Sequence, residues 1–226
     1  MTISAIIVCG GNSTRMGGVN KILLPLGKTN VAGTTLLAFE QCPEITDIVV
    51  VCRECDRQSL EDTARSLDIT KLHAFADAGK TRQESVFNGL KKISHDTDLV
   101  AVHDGARPLV KPEHIAKTAR DAEVFGGAVL GVPVKDTIKV VNDGLITDTP
   151  HRPSLYITQT PQIFKRRIYF EAVDFALEHG LDFTDDCQLA EAIGIKVCMT
   201  LGDYTNIKIT TPEDIKIAEL LLEGNK

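Results

Sequence analysis

Apolar residues fall along this chain in short continuous blocks, separated by longer stretches in which they recur every three to four positions. Blocks such as Ile3-Ser4-Ala5-Ile6-Ile7 fit strands buried on both faces. They predict strands over Ile3–Cys9, Asp47–Cys52, Lys71–Ala76, Leu99–His103, Ala128–Val132 and Lys196–Leu201. The helical spacing between them predicts helices over Thr35–Cys42, Asp56–Leu67, Thr81–Ile93, Pro112–Phe125, Lys165–His179 and Asp186–Ile193. A last helix is expected from Thr211-Pro212-Glu213-Asp214, where a threonine cap, a first-turn proline and two acids coincide. Strands and helices in alternation predict an α/β fold around a mainly parallel sheet. In such folds ligands bind at the carboxyl ends of the strands.

One region breaks the alternation. Thr137–Val141 and Leu145–Thr149 are β-prone and flank Asn142-Asp143-Gly144, a strong hairpin signal. The hairpin is too polar to be core. Residues 134–158 are therefore expected to project as a β-arm from a single domain spanning 1–226, and such arms commonly pack on a partner subunit.

Composition narrows the function classes. The chain has 226 residues, 43% hydrophobic and 25% charged, enough for one sizeable core. Its formal charge of −6 and lack of a basic run argue against nucleic acid as a partner. No apolar stretch reaches membrane-spanning length and no signal peptide opens the chain, so a cytoplasmic protein is expected. The six cysteines are scattered, and Cys52-Arg53-Glu54-Cys55 has no second pair to complete a zinc site.

Against this acidic background, a few clusters carry chemistry. The segment Val8–Lys21, VCGGNSTRMGGVNK, follows the first predicted strand with glycines and two cations, Arg15 and Lys21. Glycines let backbone N–H groups approach a ligand, and with two cations nearby the loop suits a polyphosphate. It is neither a Walker A loop nor G-x-G-x-x-G. The lesser alternative for the segment read alone is a strand-to-helix turn with solvated charges. Gly79–Ser85 opens a helix, whose N-terminus can hold an anion or a base edge. His103-Asp104-Gly105-Ala106-Arg107-Pro108 ends an apolar strand. An aspartate there could share Mg²⁺ with phosphate oxygens, and Arg107 could meet a phosphate or pair with Asp104. Arm residues Asp136, Thr137 and Arg152, with Thr160-Pro161-Gln162, suit a second phosphate-bearing substrate. Thr184-Asp185-Asp186 and a β-prone stretch carrying Lys208 form the last group.

Taken in order, GGNSTRMG…NK, TRQES, VHDGARP, GVPVKDT, QTPQIF, FTDD and NIKITTPED resemble the cytidylyltransferases of the isoprenoid pathway, which join CTP to 2-C-methyl-D-erythritol 4-phosphate. The match covers nearly the whole chain. DTPHRPSLY and GDYTNIKITT also look like the related ribitol-5-phosphate enzymes of wall teichoic acid synthesis, whereas VHDGARP and GVPVKDT look more like the erythritol group. The resemblance implies a three-layer Rossmann-like nucleotidyltransferase domain and a homodimer through the β-arm. It implies that Cys9, Gly10 and Gly11 hold CTP and that Arg15 and Lys21 stabilise the transition state at its α-phosphate. Gly79 and Ser85 would select cytosine with Arg82 nearby, Gly105 would lie by the ribose, and Asp104 would belong to the Mg²⁺ site. Thr137 and Arg152 would reach the polyol phosphate held mostly by the other subunit. Arg107, Thr160, Thr184 and Lys208 would complete the acceptor and metal-side pocket. Departures from the family pattern are Ile22, Ala78-Gly79-Lys80 and an altered Gly27–Gly33 segment.

Overall fold

The computed structural model describes residues 1–11 and 20–224; Arg15 lies outside them. A seven-stranded sheet forms the centre. In chain order its strands are β1 (Ile3–Val8), β4 (Asp47–Cys52), β5 (Leu72–Asp77), β6 (Leu99–Asp104), β7 (Gly127–Pro133), β10 (Tyr156–Lys165) and β11 (Cys198–Leu201). Two small hairpins supply the rest: β2 (Pro25–Leu26) with β3 (Thr29–Asn30), and β8 (Val140–Asn142) with β9 (Leu145–Asp148). The helices are α1 (Val31–Glu40), α2 (Glu54–Ser66), α3 (Arg82–Leu90), α4 (Pro112–Phe125), α5 (Arg166–Glu178), α6 (Asp186–Ala192) and α7 (Pro212–Gly224). The spatial order is β11-β7-β10-β6-β1-β4-β5. Every pairing in this sheet is parallel except those of β10, which runs against both β6 and β7.

The double-sided apolar strands have a direct cause. Ile3, Ala5 and Ile7 of β1 pack into one core with α1, α2 and α4, through side chains such as Leu36, Leu60 and Ile115. Ile6 points the other way, into a second core with Val86 of α3, Tyr169 of α5 and Leu189 of α6. Period-two geometry sends neighbours to opposite faces, so both must be apolar when helices cover both. Three layers result. A third, smaller cluster of Leu26, Val31, Leu109, Ile209 and Ala218 seats α7 beside the β2–β3 hairpin. No described helix is long and apolar enough to cross a membrane.

Three expectations are corrected. The first helix starts at Val31, not Thr35, because Asn30 caps it by accepting the Gly33 N–H at 2.8 Å. A Cβ on Gly33 would lie 2.9 Å from Leu67 and Thr63, so the helix pair closes only over glycine. The Gly27–Gly33 segment is thus the β2–β3 turn and the start of α1. The second correction is β10, which Pro161 disguised, since proline argues against a central strand. Its pairing with β7 shifts register between Thr158 and Gln162, and the proline falls in that irregularity. The arm is consequently shorter than 134–158: Tyr156 already pairs with Pro133, and the Val134 N–H to Leu155 carbonyl bond closes its root. Thr160 belongs to the sheet and not to the arm. Third, Lys208 is on no strand; residues 202–210 are irregular.

The hairpin itself forms as predicted, with Asp143 and Gly144 both at positive φ, as a two-residue turn between twisted strands requires. Residues 135–149 are exposed throughout, including Val141, Leu145 and Ile146.

Ile163, at 0% exposure, lies in the middle of β10 opposite Ala101 and Ala128. Ile163→Ala is expected to lower unfolding free energy by about 2–5 kcal/mol, through lost burial plus the cavity left behind. Val124→Ala on the exposed face of α4 should stay within about 0.5 kcal/mol. Urea unfolding of both variants checks the contrast.

Candidate active site

The site opens where the strands end. Val8 and Asp104 are register partners at the carboxyl ends of β1 and β6, and a cavity of about 250 Å³ lies beyond them. Cys9, Gly10, Gly11 and Lys21 line it from the segment after β1, and Gly79, Arg82 and Ser85 from the entry to α3. Asp104 and Lys208 close it. Nine of the residues singled out in the sequence therefore share one cavity. Two glycines are demanded by the close approach of their loops. A Cβ on Gly10 would stand 2.3 Å from that of Ala78, and one on Gly105 2.4 Å from the Cys9 sulfur. Burial pushes the Cys9 thiol well up, so it stays a neutral wall.

The α3 entry is preset by its own sequence. Thr81 caps the helix by accepting the Glu84 N–H, while Glu84 accepts the Lys80 N–H at 2.7 Å. Ser85 accepts the Gly79 N–H at 2.9 Å and donates to the Thr81 carbonyl, fixing the loop that faces the cavity.

Charge is concentrated on one carboxylate. Asp104 sits 2.7 Å from Lys208 Nζ, 3.3 Å from Arg82 Nε and 3.6 Å from Arg107 Nε. Burial alone would raise its pKa, but Lys208, Arg82 and Arg107 outweigh that and hold it well below the usual carboxylate range. Arg82 also reaches a second acid. Its Nη1 meets Asp186 at 2.8 Å, and Asp186 in turn accepts the Tyr169 hydroxyl at 2.5 Å. Burial lowers the pKa of both arginines. Two carboxylates reverse this for Arg82, whereas Arg107 has one and is repelled by Arg82, so its pKa ends lowered. Arg107 keeps its fork in place by donating to the Asn206 carbonyl at 2.9 Å. Arg107 and Thr160 thus back the cavity from behind Asp104.

Lys208 is aimed by loop anchoring. The Ile209 N–H donates to the Ala106 carbonyl at 2.8 Å, and Asp214 in α7 accepts the Thr210 and Thr211 N–H groups. His103 is fully buried and bonded at both ring nitrogens, to Thr160 and to the Arg107 carbonyl. Burial pushes its pKa down to about 3, so it is a neutral packed ring and no ligand.

Three predicted residues stand apart. Thr184 is exposed and bonds Gln188, and Thr137 and Arg152 lie on the exposed arm, where Arg152 donates to the Lys135 carbonyl at 3.1 Å. Asp186 stands in the Thr184–Asp186 group that the sequence singles out, but its role as the buried anchor of Arg82 is not legible there, because the two residues are 104 positions apart. Lys80, within the Gly79–Ser85 cluster but given no role of its own by the sequence, is also on the cavity wall.

Among the described residues no set of three or more His, Cys, Asp or Glu gathers as a metal cage. Mg²⁺ does not need one when it arrives with phosphates, since one carboxylate then suffices. Asp104, ionised and facing the cavity, fits that requirement.

Comparison with known proteins agrees with this geometry. The model of the 2-C-methyl-D-erythritol 4-phosphate cytidylyltransferase family matches residues 3–224. The enzyme of that name from Caldanaerobacter subterraneus is 43% identical over 225 residues, covering 98% of this chain and 99% of the relative. The chloroplastic enzyme from Oryza sativa is 40% identical, covering 98% and 74% respectively. Among solved structures, 4-diphosphocytidyl-2C-methyl-D-erythritol synthase from Anaerococcus prevotii superposes with a TM-score of 0.87 at 32% identity, over 98% of this chain and 96% of that one. The Thermus thermophilus cytidylyltransferase gives 0.81 at 31% identity, over 99% and 100%. A cation-walled cavity at the strand ends, a matching fold and similarity along the whole chain lead to one conclusion: this chain belongs to the 2-C-methyl-D-erythritol 4-phosphate cytidylyltransferase family.

Proposed function

We propose that the protein transfers the cytidylyl group of CTP to 2-C-methyl-D-erythritol 4-phosphate, releasing pyrophosphate. The observation that carries this reading is the charge of the cavity. Lys21, Lys80, Arg82 and Lys208 line it against the single carboxylate of Asp104, in a chain whose net charge is −6. Locally placed cations in an acidic protein draw in and hold a polyanion.

The chemistry is an in-line attack by an acceptor phosphate oxygen on the α-phosphorus of CTP. Both reactants are anions, so the protein's work is alignment and charge neutralisation. Arg15 and Lys21 stabilise charge developing at the α-phosphate, with Lys208 on the acceptor side. Cys9, Gly10 and Gly11 form the wall along the nucleotide, and Gly105 lies by its ribose. Gly79 and Ser85, locked by their mutual hydrogen bond, face the cytosine. Asp104 is the residue that would hold Mg²⁺, which would supply further screening of the triphosphate when bound. Arg107 and Thr160 hold Asp104 in place, and Arg107 extends toward the acceptor. No general base is required, because a phosphate monoester with a second pKa of about 6 is already a nucleophile near neutrality.

Thr137, Arg152 and Thr184 lie away from this cavity, and a second copy of the chain accounts for two of them. We place Thr137 and Arg152 at the acceptor site of the partner subunit in a homodimer formed through the arm. The exposed apolar residues Val141, Leu145 and Ile146 support that packing. Thr184 is placed at the rim of the acceptor pocket. The substrates are multiply charged and water-soluble, and we place the reaction in the cytoplasm.

Pyrophosphate release with Mg²⁺ and CTP tests the assignment. Rapid release is expected with methylerythritol 4-phosphate; faster release with ribitol 5-phosphate would move the acceptor to that polyol, and release with neither would refute transfer. Lys21→Ala and Arg15→Ala should each lower kcat by about a hundredfold, the usual loss for preorganised charge, and near-normal turnover would remove that role. Arg152→Ala is expected to raise KM for the acceptor more than for CTP; steady-state kinetics varying each substrate in turn decide this.

A further inference from the structure

The turn after β6 carries Asp104 and Arg107, and all four of its carbonyls are engaged. The Asp104 carbonyl accepts the Arg107 N–H at 3.0 Å, and the Ala106 carbonyl accepts the Ile209 N–H at 2.8 Å. The Gly105 carbonyl accepts the Thr35 hydroxyl at 3.0 Å. The fourth, that of Arg107, lies 3.1 Å from His103 Nε2. The other ring nitrogen, Nδ1, is 3.0 Å from Thr160 Oγ1, which also accepts the Asp104 N–H at 3.1 Å. One buried ring therefore touches both ends of the turn: its start through Thr160, and its end directly.

Hydrogen-bond complementarity sets the state of that ring. A carbonyl only accepts, so Nε2 carries a proton. Thr160 accepts the Asp104 N–H and has its own proton to donate, and Nδ1 is the acceptor in reach. The ring is fully buried and packs on Phe39 with centroids 4.9 Å apart, so water does not substitute for either partner. With both nitrogens committed, His103 has no lone pair or proton to offer a substrate.

We propose that His103 is a positioning residue for cytidylyl transfer: its ring, protonated at Nε2 alone, braces the 104–107 turn against β10 and so sets where Asp104 and Arg107 stand. The kinetic part of this role rests on the function proposed above; the state of the ring does not. The brace links three segments that sequence keeps far apart, the end of β6, Thr160 of β10 and, through Ala106, the loop that presents Lys208.

Two measurements test it. In protein labelled with ¹⁵N-histidine, two-bond ¹H–¹⁵N correlation at pH 7 should show His103 protonated at Nε2 only, its signal identified by loss in His103→Gln. A ring protonated at Nδ1, or at both nitrogens, overturns the proposal whatever the substrate proves to be. Kinetically, His103→Gln keeps an amide N–H to offer the Arg107 carbonyl, whereas His103→Leu fills similar space without a donor. The Gln variant should keep kcat within about threefold and the Leu variant lose about a hundredfold, the scale of a 1 Å misplacement, with KM for CTP moving less than about threefold in both. Should the Leu variant not fold, Thr160→Val, which removes the hydroxyl at nearly constant volume, takes its place with the same expected loss. Equal losses in the Gln and Leu variants, or wild-type turnover in the folded Leu or Thr160→Val variant, overturn the brace.

Discussion

Asp104 ends β6 with its side chain 11% exposed and three cations within 3.6 Å. Removing such a charge from water costs several kcal/mol unless partners and hydrogen bonds replace the lost solvation. Lys208, Arg82 and Arg107 do so, and each comes from a different part of the chain. The same arrangement leaves the cavity rich in positive charge that is already in place. A polyphosphate entering it meets cations held by their neighbours and not by solvent, which is what makes preorganised charge effective. Stability and reactivity thus draw on the same contacts around one carboxylate.

What holds the cations is a further set of bonds. Arg82 spans Asp104 and the buried Asp186, whose position is fixed by Tyr169 and by Gln162, which accepts the Asp186 and Cys187 N–H groups. Tyr169 stacks on Phe164 of β10 at 5.1 Å, so a core aromatic pair ends in a polar tip directed at the site. The antiparallel strand β10 is therefore central to function as well as to the sheet. It contributes Thr160 to the Asp104 side and Gln162 to the Asp186 side, two residues apart across an irregularity in pairing. A regular strand would send residues 160 and 162 to the same face.

The β8–β9 arm shows the opposite economy. Its turn geometry is local and well specified, yet its apolar side chains find no cover among the described residues. Only its root is tied down, by Lys135 over the Tyr204 ring at 3.5 Å and by the Tyr204 hydroxyl on the Pro133 carbonyl. That root lies on the loop leading to Lys208, so the arm and the cavity share a support.

Local physics made much of this legible from the chain. Double-sided apolar runs required helices on both faces; Thr81, the Pro212 start and the Asn142–Gly144 turn each act through bonds or φ angles within a few residues. Glycines and cations after β1, and an aspartate at the end of β6, marked the site for the same reason. Tertiary structure alone decided the rest. Pro161 reads as a strand breaker until a pairing irregularity accommodates it; Asp186 reads as one acid of the Thr184–Asp186 group until Arg82 arrives across 104 residues; His103 reads as a core residue until Thr160 and the Arg107 carbonyl fix its proton. Periodicity and capping are properties of neighbouring residues and survive in the sequence. The partners of buried polar groups are set by chain topology, which brings distant segments together only when the sheet has formed.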